Sequence, residues 1–150
     1  MSTTEKLNGY GPLAGVKVVE LCEWVAAPAC VRCLSEMGAT VIKVEPPYGD
    51  AQRTQGPGFG CEQTDMEDPT IDLNNTNKNF VSINLKNEEG MKFMKKLLAD
   101  ADIFVNNLRD KALNKMGLDY ETLHKEFPTL IWAQMRGYGE YGPEKDSPGF

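Results

Sequence analysis

The sequence predicts an α/β fold with a Rossmann-like, mainly parallel sheet and helices on both faces. Two short runs rich in β-branched residues, at positions 16–21 behind Gly15 and at 40–45 behind Gly38, have the composition of buried strands. The residues between these runs carry apolar side chains near helical spacing, which indicates a strand, helix, strand unit. Three further apolar runs, at positions 80–85, 102–106 and 130–134, alternate with helical patterns, as is typical of a parallel sheet.

Helix signals define the order of the elements. Pro28 stands where a first helical position is expected, and about ten residues of helix fit before Gly38. Asn87 can cap a helix with methionines and leucines on one face and lysines on the other. A short helix ends at Gly117, and another precedes Pro128. The predicted order is strand, helix, strand, loop, strand, helix, strand, helix, helix, strand.

Three segments lack periodicity. Residues 1–12 form a polar lead-in, so the domain is predicted to span residues 13–150. Residues 46–73 are rich in glycine, proline and polar residues, and they predict a long loop that covers a site or another subunit. The glycine-rich stretch at 56–60 neither follows a strand nor opens a helix, which favours a flexible turn over a phosphate-binding loop. A polar turn is predicted at 74–79.

Composition and charge disfavour several classes of protein. The length of 150 residues, with 41% hydrophobic residues, suits one globular domain. The net charge of −6, with basic residues spread along the chain, disfavours binding to nucleic acid or to an anionic membrane. No apolar stretch is long enough to span a membrane, and the polar N-terminus lacks a signal-peptide core, so we expect a cytoplasmic location.

The cysteines suggest buried thiols rather than redox or metal chemistry. A disulfide framework is not expected in a reducing compartment. Cys30 and Cys33 form a C-x-x-C pattern, but a reactive pair lies at the very start of a helix, and Cys30 comes two residues after Pro28. No second C-x-x-C pattern and no histidine pair completes a zinc site around these residues or around Cys22 and Cys61. We therefore expect buried helical cysteines and no metal.

Polar side chains follow three of the predicted strands. Glu23 and Trp24 follow the first strand, residues 106–109 follow the strand at 102–106, and residues 136–138 follow the last. Because the carboxyl ends of strands in an open α/β sheet face one crevice, we expect these clusters to share a ligand site.

The residue types at these strand ends suit a phosphorylated ligand with an aromatic or acyl group. Arginine offers a bidentate fork to phosphate, and glycine lets the backbone approach a ligand closely. The residues expected to supply charge are Arg109, Lys115 and Arg136, with Gly137 beside them and Tyr138 and Trp24 available for stacking. The turn after the first strand lacks G-x-G-x-x-G, which disfavours a nicotinamide dinucleotide.

Several longer segments point to one family. They are LAGVKVVEL at 13–21, AAP at 26–28, MGATVIKVEPPYGD at 37–50, ADIFVNNLR at 101–109, MGLDYETL at 116–123 and RGYGEYGPEKDSPGF at 136–150. In this order and spacing they resemble the class III CoA-transferases of the CaiB/BaiF type. Within that family they look most like enzymes that move CoA between acyl-CoA thioesters and 2-hydroxy acids, such as phenyllactate or 2-hydroxyisocaproate.

The resemblance implies a Rossmann-like large domain in an interlocked homodimer, with CoA lying across the strand ends. Acyl-CoA and a small carboxylic acid would be the substrates, and no cofactor would be tightly bound. The implied CoA contacts are Asn107, Leu108, Arg109, Lys115, Arg136, Gly137 and Tyr138. The implied substrate-binding residues are Glu23, Trp24, Val25 and Ala26.

The catalytic aspartate of the family lies further along than Phe150, so we expect this chain to be the N-terminal part of a longer enzyme and to be inactive alone. Asp50, Asp119 and Asp146 are interpreted as surface-turn or helix-start aspartates and receive no covalent role. The resemblance leaves an acyl-CoA racemase open, although His124, the single histidine, is expected at the surface. A non-catalytic CoA-binding fragment is also open, whereas the long loop does not suit a flavodoxin-like binding domain.

Overall fold

The computed structural model describes residues 10–64 and 67–149. Most of the predicted lead-in, residues 1–9, lies outside the described residues, as does Phe150. Within the described ranges one five-stranded parallel sheet has the order β3-β2-β1-β4-β5. Its strands are β1 (Lys17–Leu21), β2 (Thr40–Glu45), β3 (Asn79–Ser82), β4 (Ile103–Asn106) and β5 (Ile131–Gln134).

Helices cover both faces of this sheet. They are α1 (Ala26–Glu36), α2 (Pro69–Asn75), α3 (Glu88–Ala99), α4 (Asp110–Met116) and α5 (Tyr120–Glu126). On one face, α1 packs Ala27 and Val31 against Val18 and Val41 of the sheet. The other face is covered by α3, α4 and α5, whose buried residues Met94, Leu98, Leu113 and Leu123 surround Phe104. The predicted α/β fold with a parallel sheet and two helical layers is confirmed.

Turn and capping residues explain the helix ends. The side chain of Asn87 accepts a hydrogen bond from Gly90 N and caps α3 as predicted. Gly117 ends α4 in the left-handed conformation, with φ of 65°. Helix α1 begins two residues before the predicted start, at Ala26. Pro28 fits in its first turn because the first four N–H groups of a helix lack intrahelical partners.

The loop and turn predicted between β2 and β3 were wrong in part. Two short 3₁₀ helices lie at Ala51–Thr54 and Gly56–Phe59, so the glycine-rich stretch is more ordered than a flexible turn. Helix α2 replaces the end of the loop and the start of the predicted polar turn. It forms because Asp68 caps it and Pro69 occupies a position that needs no hydrogen-bond donor. Residues 65 and 66 lie outside the described part.

The prediction of buried helical cysteines was wrong for Cys30 and Cys33, which are both exposed free thiols. Helix α1 turns Ala27, Val31 and Ser35 inward, and this four-residue repeat leaves both cysteines on the outer side. Cys22, which directly follows β1 and does not lie in the helix, is buried. Among the helices in the two described ranges, none is long and apolar enough to cross a membrane.

Candidate functional site

The turn that follows β1 lies at the topological switch point of the sheet. β1 pairs with β2 on one side and β4 on the other, and the connections after β1 and β4 lead to helices on opposite faces. The turn comprises residues 22–28, which are the link after β1 and the first three residues of α1. At its tip, Trp24 is 37% exposed and Val25 is 51% exposed. Open α/β sheets bind ligands in the crevice at such a point.

Trp24 has an unusual backbone conformation at the tip of this turn. Its φ of 67° lies in the left-handed region, which bulky L-residues rarely adopt. Its N–H donates to Oδ1 of Asp50 at 3.1 Å, and Gln52 N donates to the same oxygen at 2.9 Å. Asp50 was predicted to be a surface-turn or helix-start aspartate. It does cap the first 3₁₀ helix, but the surface placement is wrong because it is only 1% exposed.

Asn107, from the end of β4, holds the neighbouring residue of the turn. Its Oδ1 accepts from Glu23 N at 3.0 Å, and its Nδ2 donates to Glu23 O at 2.7 Å. The amide group therefore replaces a strand partner for Glu23 and bridges the ends of β1 and β4. Of the predicted site residues, these two are brought into direct contact.

A buried lysine lies beneath the turn. Lys43 of β2 contacts three acceptors through its Nζ: Cys22 O at 2.7 Å, Glu20 Oε1 at 3.1 Å and Asp50 Oδ2 at 2.9 Å. An ammonium group has three N–H donors, so its full capacity is matched. The side chains of Lys43, Glu20 and Asp50 have no exposed surface.

A second lysine extends this cluster. Lys78, just before β3, contacts Glu20 Oε2 at 2.7 Å, Asn75 Oδ1 at 2.9 Å and Pro28 O at 2.8 Å. Glu20 thus bridges the two lysines, with one carboxylate oxygen on each. We call Glu20, Lys43, Asp50 and Lys78 the buried ion-pair network. Its two positive and two negative charges balance.

Burial and pairing set the pKa values in the network. Burial would lower the pKa of Lys43, but the carboxylates of Glu20 and Asp50 outweigh it and raise this pKa above the ordinary lysine value. Burial raises the pKa of Glu20, and its two lysine partners offset only part of the effect. Burial likewise lowers the pKa of Lys78, against the attraction of Glu20.

Two other groups at the turn have raised pKa values. Burial and then the nearby Asp50 carboxylate raise the pKa of the half-buried Glu23. Burial raises the pKa of the Cys22 thiol well above its ordinary value, and this thiol donates to Val105 O at 3.4 Å. Cys22 is therefore a packed thiol with little thiolate character.

The predicted phosphate ligands lie after β4 and β5. Arg109 precedes α4 and Lys115 lies in its last turn, and both are exposed. Arg136 forms an ion pair with Asp110 through one terminal nitrogen, and its side chain is 18% exposed. Since a guanidinium carries five N–H donors, this pair does not use the full capacity of the group. Tyr138 is 47% exposed.

Leu108 and Gly137 have structural contacts of their own. Leu108 packs against the core, and its carbonyl accepts from Gln134 Nε2 at 2.7 Å. A Cβ added to Gly137 would lie 2.6 Å from the Cα of Gly149, so the close backbone approach predicted at Gly137 is made by Gly149. Ala26, at the start of α1, is exposed.

A shallow groove of about 580 Å³ lies beside α4, α5 and β5. Its lining includes Tyr120 and Trp132 and four carboxylates, those of Asp110, Asp119, Glu121 and Glu140. Carboxylates repel phosphate groups, so the groove is a poor match for a polyphosphate ligand, and the strand ends remain the better one. No group of three or more histidine, cysteine or acidic side chains in the described residues is placed to hold a metal ion.

Sequence comparison identifies the family. The profile of CoA-transferase family III matches residues 13–150. The chain belongs to CoA-transferase family III. The (R)-2-hydroxy-4-methylpentanoate CoA-transferase of Clostridioides difficile is 51% identical over 138 residues, which cover 92% of this chain and 35% of that enzyme. The cinnamoyl-CoA:phenyllactate CoA-transferase of Clostridium sporogenes is 49% identical over 143 residues, 95% of this chain and 35% of that enzyme.

Solved structures of the family share the fold. A CaiB/BaiF family protein from Brucella suis superposes with a TM-score of 0.86 at 37% identity, covering 93% of this chain and 37% of that protein. The predicted resemblance to class III CoA-transferases, and to 2-hydroxyacid CoA-transferases in particular, is confirmed. The chain spans 35% of the length of these two curated relatives.

The buried ion-pair network is what sequence reasoning missed. Glu20 and Lys43 are aligned partners in the register of β1 and β2, so opposite charges stand side by side in two strands that are otherwise apolar. Two charges at matching positions of neighbouring buried strands are the signal that could have revealed it.

Proposed function

We propose that residues 13–150 form the CoA-binding, N-terminal part of an enzyme that transfers CoA from an acyl-CoA to a free carboxylic acid, a 2-hydroxy acid. The supporting observation is the crevice at the switch point, where Glu23 after β1 and Asn107 after β4 are joined in a family III chain. Two relatives with 51% and 49% sequence identity are named for CoA transfer involving 2-hydroxy acids.

The residues of this crevice divide into two groups. The nucleotide end of CoA would be bound by the residues after β4 and β5, namely Asn107, Leu108, Arg109, Lys115, Arg136, Gly137 and Tyr138. Exposed cationic groups at Arg109 and Lys115 suit its phosphates. The acyl end and the acceptor acid would contact Glu23, Trp24, Val25 and Ala26, where Trp24 and Val25 offer exposed apolar surface.

The chemistry that suits this assignment is covalent catalysis by an aspartate outside residues 1–150. Its carboxylate attacks the thioester carbonyl, the C–S bond breaks, and CoA thiolate leaves a mixed anhydride. The thiolate then attacks the aspartyl carbonyl of the anhydride, which releases the donor acid and forms an aspartyl-CoA thioester. The acceptor carboxylate takes the CoA by the same two steps in reverse. This route divides one difficult transfer into easier ones.

The aspartates of this chain give no support for a nucleophile here. Asp50 is buried and bound to Lys43, and Asp119 caps α5 through Thr122 N. For a racemase, His124 would have to act as a base, but it is stacked on Tyr120 in α5 with ring centroids 5.1 Å apart.

An interlocked homodimer and a cytoplasmic location belong to the same proposal.

A chimaera tests this function. Residues 13–150 would replace the matching segment of the C. difficile enzyme. The chimaera should transfer CoA to a 2-hydroxy acid, and Arg136→Ala in it should raise KM for acyl-CoA by about tenfold to a hundredfold, because a phosphate contact is lost. The control Lys92→Ala removes an exposed lysine on α3 and should leave KM unchanged.

Two results would count against the proposal. A folded chimaera without turnover would contradict the assignment of these residues to a transferase. Turnover of acyl-CoA and free acid by the isolated 150-residue chain would contradict the location of the nucleophile outside it.

A further inference from the structure

We propose that Asp50 and Lys43 are positioning residues for the acyl end of the site. In this role they fix the turn at residues 22–28, with Trp24 in its left-handed conformation, so that Trp24 and Val25 face the acyl group. The inference rests on the proposed function, and it concerns residues that lie beneath the ligand site rather than in it.

The network contacts the backbone of the turn at three separate points. Lys43 Nζ donates to Cys22 O at 2.7 Å, Asp50 Oδ1 accepts from Trp24 N at 3.1 Å, and Lys78 Nζ donates to Pro28 O at 2.8 Å. The remaining support comes from Asn107, which pairs with both backbone groups of Glu23. The start, the tip and the end of the turn are therefore held by buried charged side chains.

Stability alone is a weak explanation for such a network. Buried ion pairs often contribute little to net stability, because desolvation of the charges offsets their attraction. Directional hydrogen bonds to chosen backbone atoms are what apolar residues of the same size could not supply. The position of these bonds at the strand ends, around a non-glycine residue with φ of 67°, indicates control of the turn's conformation.

The network also links the turn to the segment after β2. Asp50 accepts from Gln52 N at 2.9 Å and so ties the first 3₁₀ helix to Trp24. Lys78, which donates to Pro28 O, also donates to Asn75 Oδ1 of α2 at 2.9 Å and so places that helix against the same cluster. The loop predicted to cover a site is thus coupled to the turn by charged groups with no exposed surface.

The test separates the acyl end of the ligand from its nucleotide end. Asp50→Asn in the 150-residue chain should weaken binding of cinnamoyl-CoA by about tenfold, since a neutral amide oxygen is a weaker acceptor for Trp24 N than the carboxylate. Binding of adenosine 3′,5′-bisphosphate, which lacks the acyl end, should change by less than about twofold. The amide proton signal of Trp24 in NMR spectra should move upfield.

A matched control and a second variant protect the test from misfolding. Asp119→Asn makes the same change at another helix-capping aspartate, and it should leave the binding of both ligands unchanged. The double variant Lys43→Met with Asp50→Leu removes one charge of each sign, so Glu20 and Lys78 stay balanced and the fold is kept. It should show the same selective loss of cinnamoyl-CoA binding.

The outcomes distinguish the two proposals. Weaker binding of cinnamoyl-CoA alone in the variants, with a shifted NMR signal of the Trp24 amide proton, supports the positioning role. Equal changes for both ligands, or no change, in folded variants overturn it while the proposed function stands. If the unmodified chain binds neither ligand, the proposed function fails instead.

Discussion

Trp24 shows how surrounding side chains can hold one backbone conformation. A left-handed φ of 67° costs a non-glycine residue about 1–2 kcal/mol. The hydrogen bond from Trp24 N to the buried Asp50 carboxylate offsets this cost, because a hydrogen bond to a charged group contributes about 1.5–3 kcal/mol. The conformation of the turn is therefore set by residues distant in the sequence.

Glu23 gives a prediction at the same scale. Burial and Asp50 raise the pKa of its carboxyl, so the folded state holds this proton more tightly than the unfolded state does. The protonated carboxyl of Glu23 therefore favours the folded state at acid pH, and this contribution to stability is lost as the pH rises through the raised pKa. Glu23→Gln should therefore increase the free energy of unfolding at pH 7 by about 0.5 kcal/mol, with a smaller gain at pH 4. Urea denaturation at both pH values measures this.

The control for Glu23 is Glu62→Gln, at an exposed position in the segment after the second 3₁₀ helix. It should change the unfolding free energy by less than about 0.3 kcal/mol at either pH. A loss of stability in Glu23→Gln at pH 7 would show that the carboxylate is stabilised rather than strained by its surroundings.

Helix α2 is the element that connects the long segment after β2 to the core. Asp68 starts it by accepting from Ile71 N at 3.3 Å. Its Leu73 carbonyl accepts from Arg32 of α1 at 2.6 Å, and Asn75 at its end contacts Lys78. A short helix of this kind is marginal alone, so the cap and these contacts determine whether it forms.

Removal of this cap should have a measurable cost. Burial would raise the pKa of Asp68, but hydrogen bonds from Thr70 and Gln63 outweigh it and lower this pKa. The stabilisation by the ionised Asp68 carboxylate is therefore complete above the pKa of the unfolded state, about 3.9. It is lost as the pH falls through the lower pKa of the folded state. Asp68→Ala should cost about 1 kcal/mol at pH 7 in chemical denaturation, and the difference should shrink at pH 3.

The matched variant Asp119→Ala removes the equivalent cap of α5 and should cost a similar amount at pH 7. A cost in Asp119→Ala with none in Asp68→Ala would contradict the account of α2 as a capped helix.

At the scale of the whole molecule, the strand order brings the candidate site together. Glu23 and Asn107 are 84 positions apart, yet they meet because β1 and β4 are neighbours in the sheet. The connections leave these strands toward opposite faces and open a crevice between them. The same order places the residues after β5 next to those after β4.

The sheet and most helices were predictable because the responsible forces are local or periodic. Central strands buried on both faces are mostly apolar runs, and Asn87 and Gly117 mark helix ends through their own backbone preferences. Helix α2 was missed because several of its buried positions, including Asn74 and Asn75, are polar and show no apolar stripe.

The candidate site was predictable only in outline. Its place at the strand ends followed from the fold class, and the contact between Glu23 and Asn107 agrees with it. The buried ion-pair network was not predictable from one stretch of sequence, since Asp50 and Lys78 reach Lys43 and Glu20 only in the folded chain. Only the pair of Glu20 and Lys43, at matching positions of two neighbouring strands, left a signal in the sequence.

The most direct test of the central claim is a titration of the 150-residue chain with CoA, followed by NMR of the backbone amides. The account predicts saturable binding with shifts concentrated at residues 22–26, 106–109 and 136–138, and competition by adenosine 3′,5′-bisphosphate. Absence of binding, or shifts confined to the acidic groove around Tyr120 and Glu140, would contradict it.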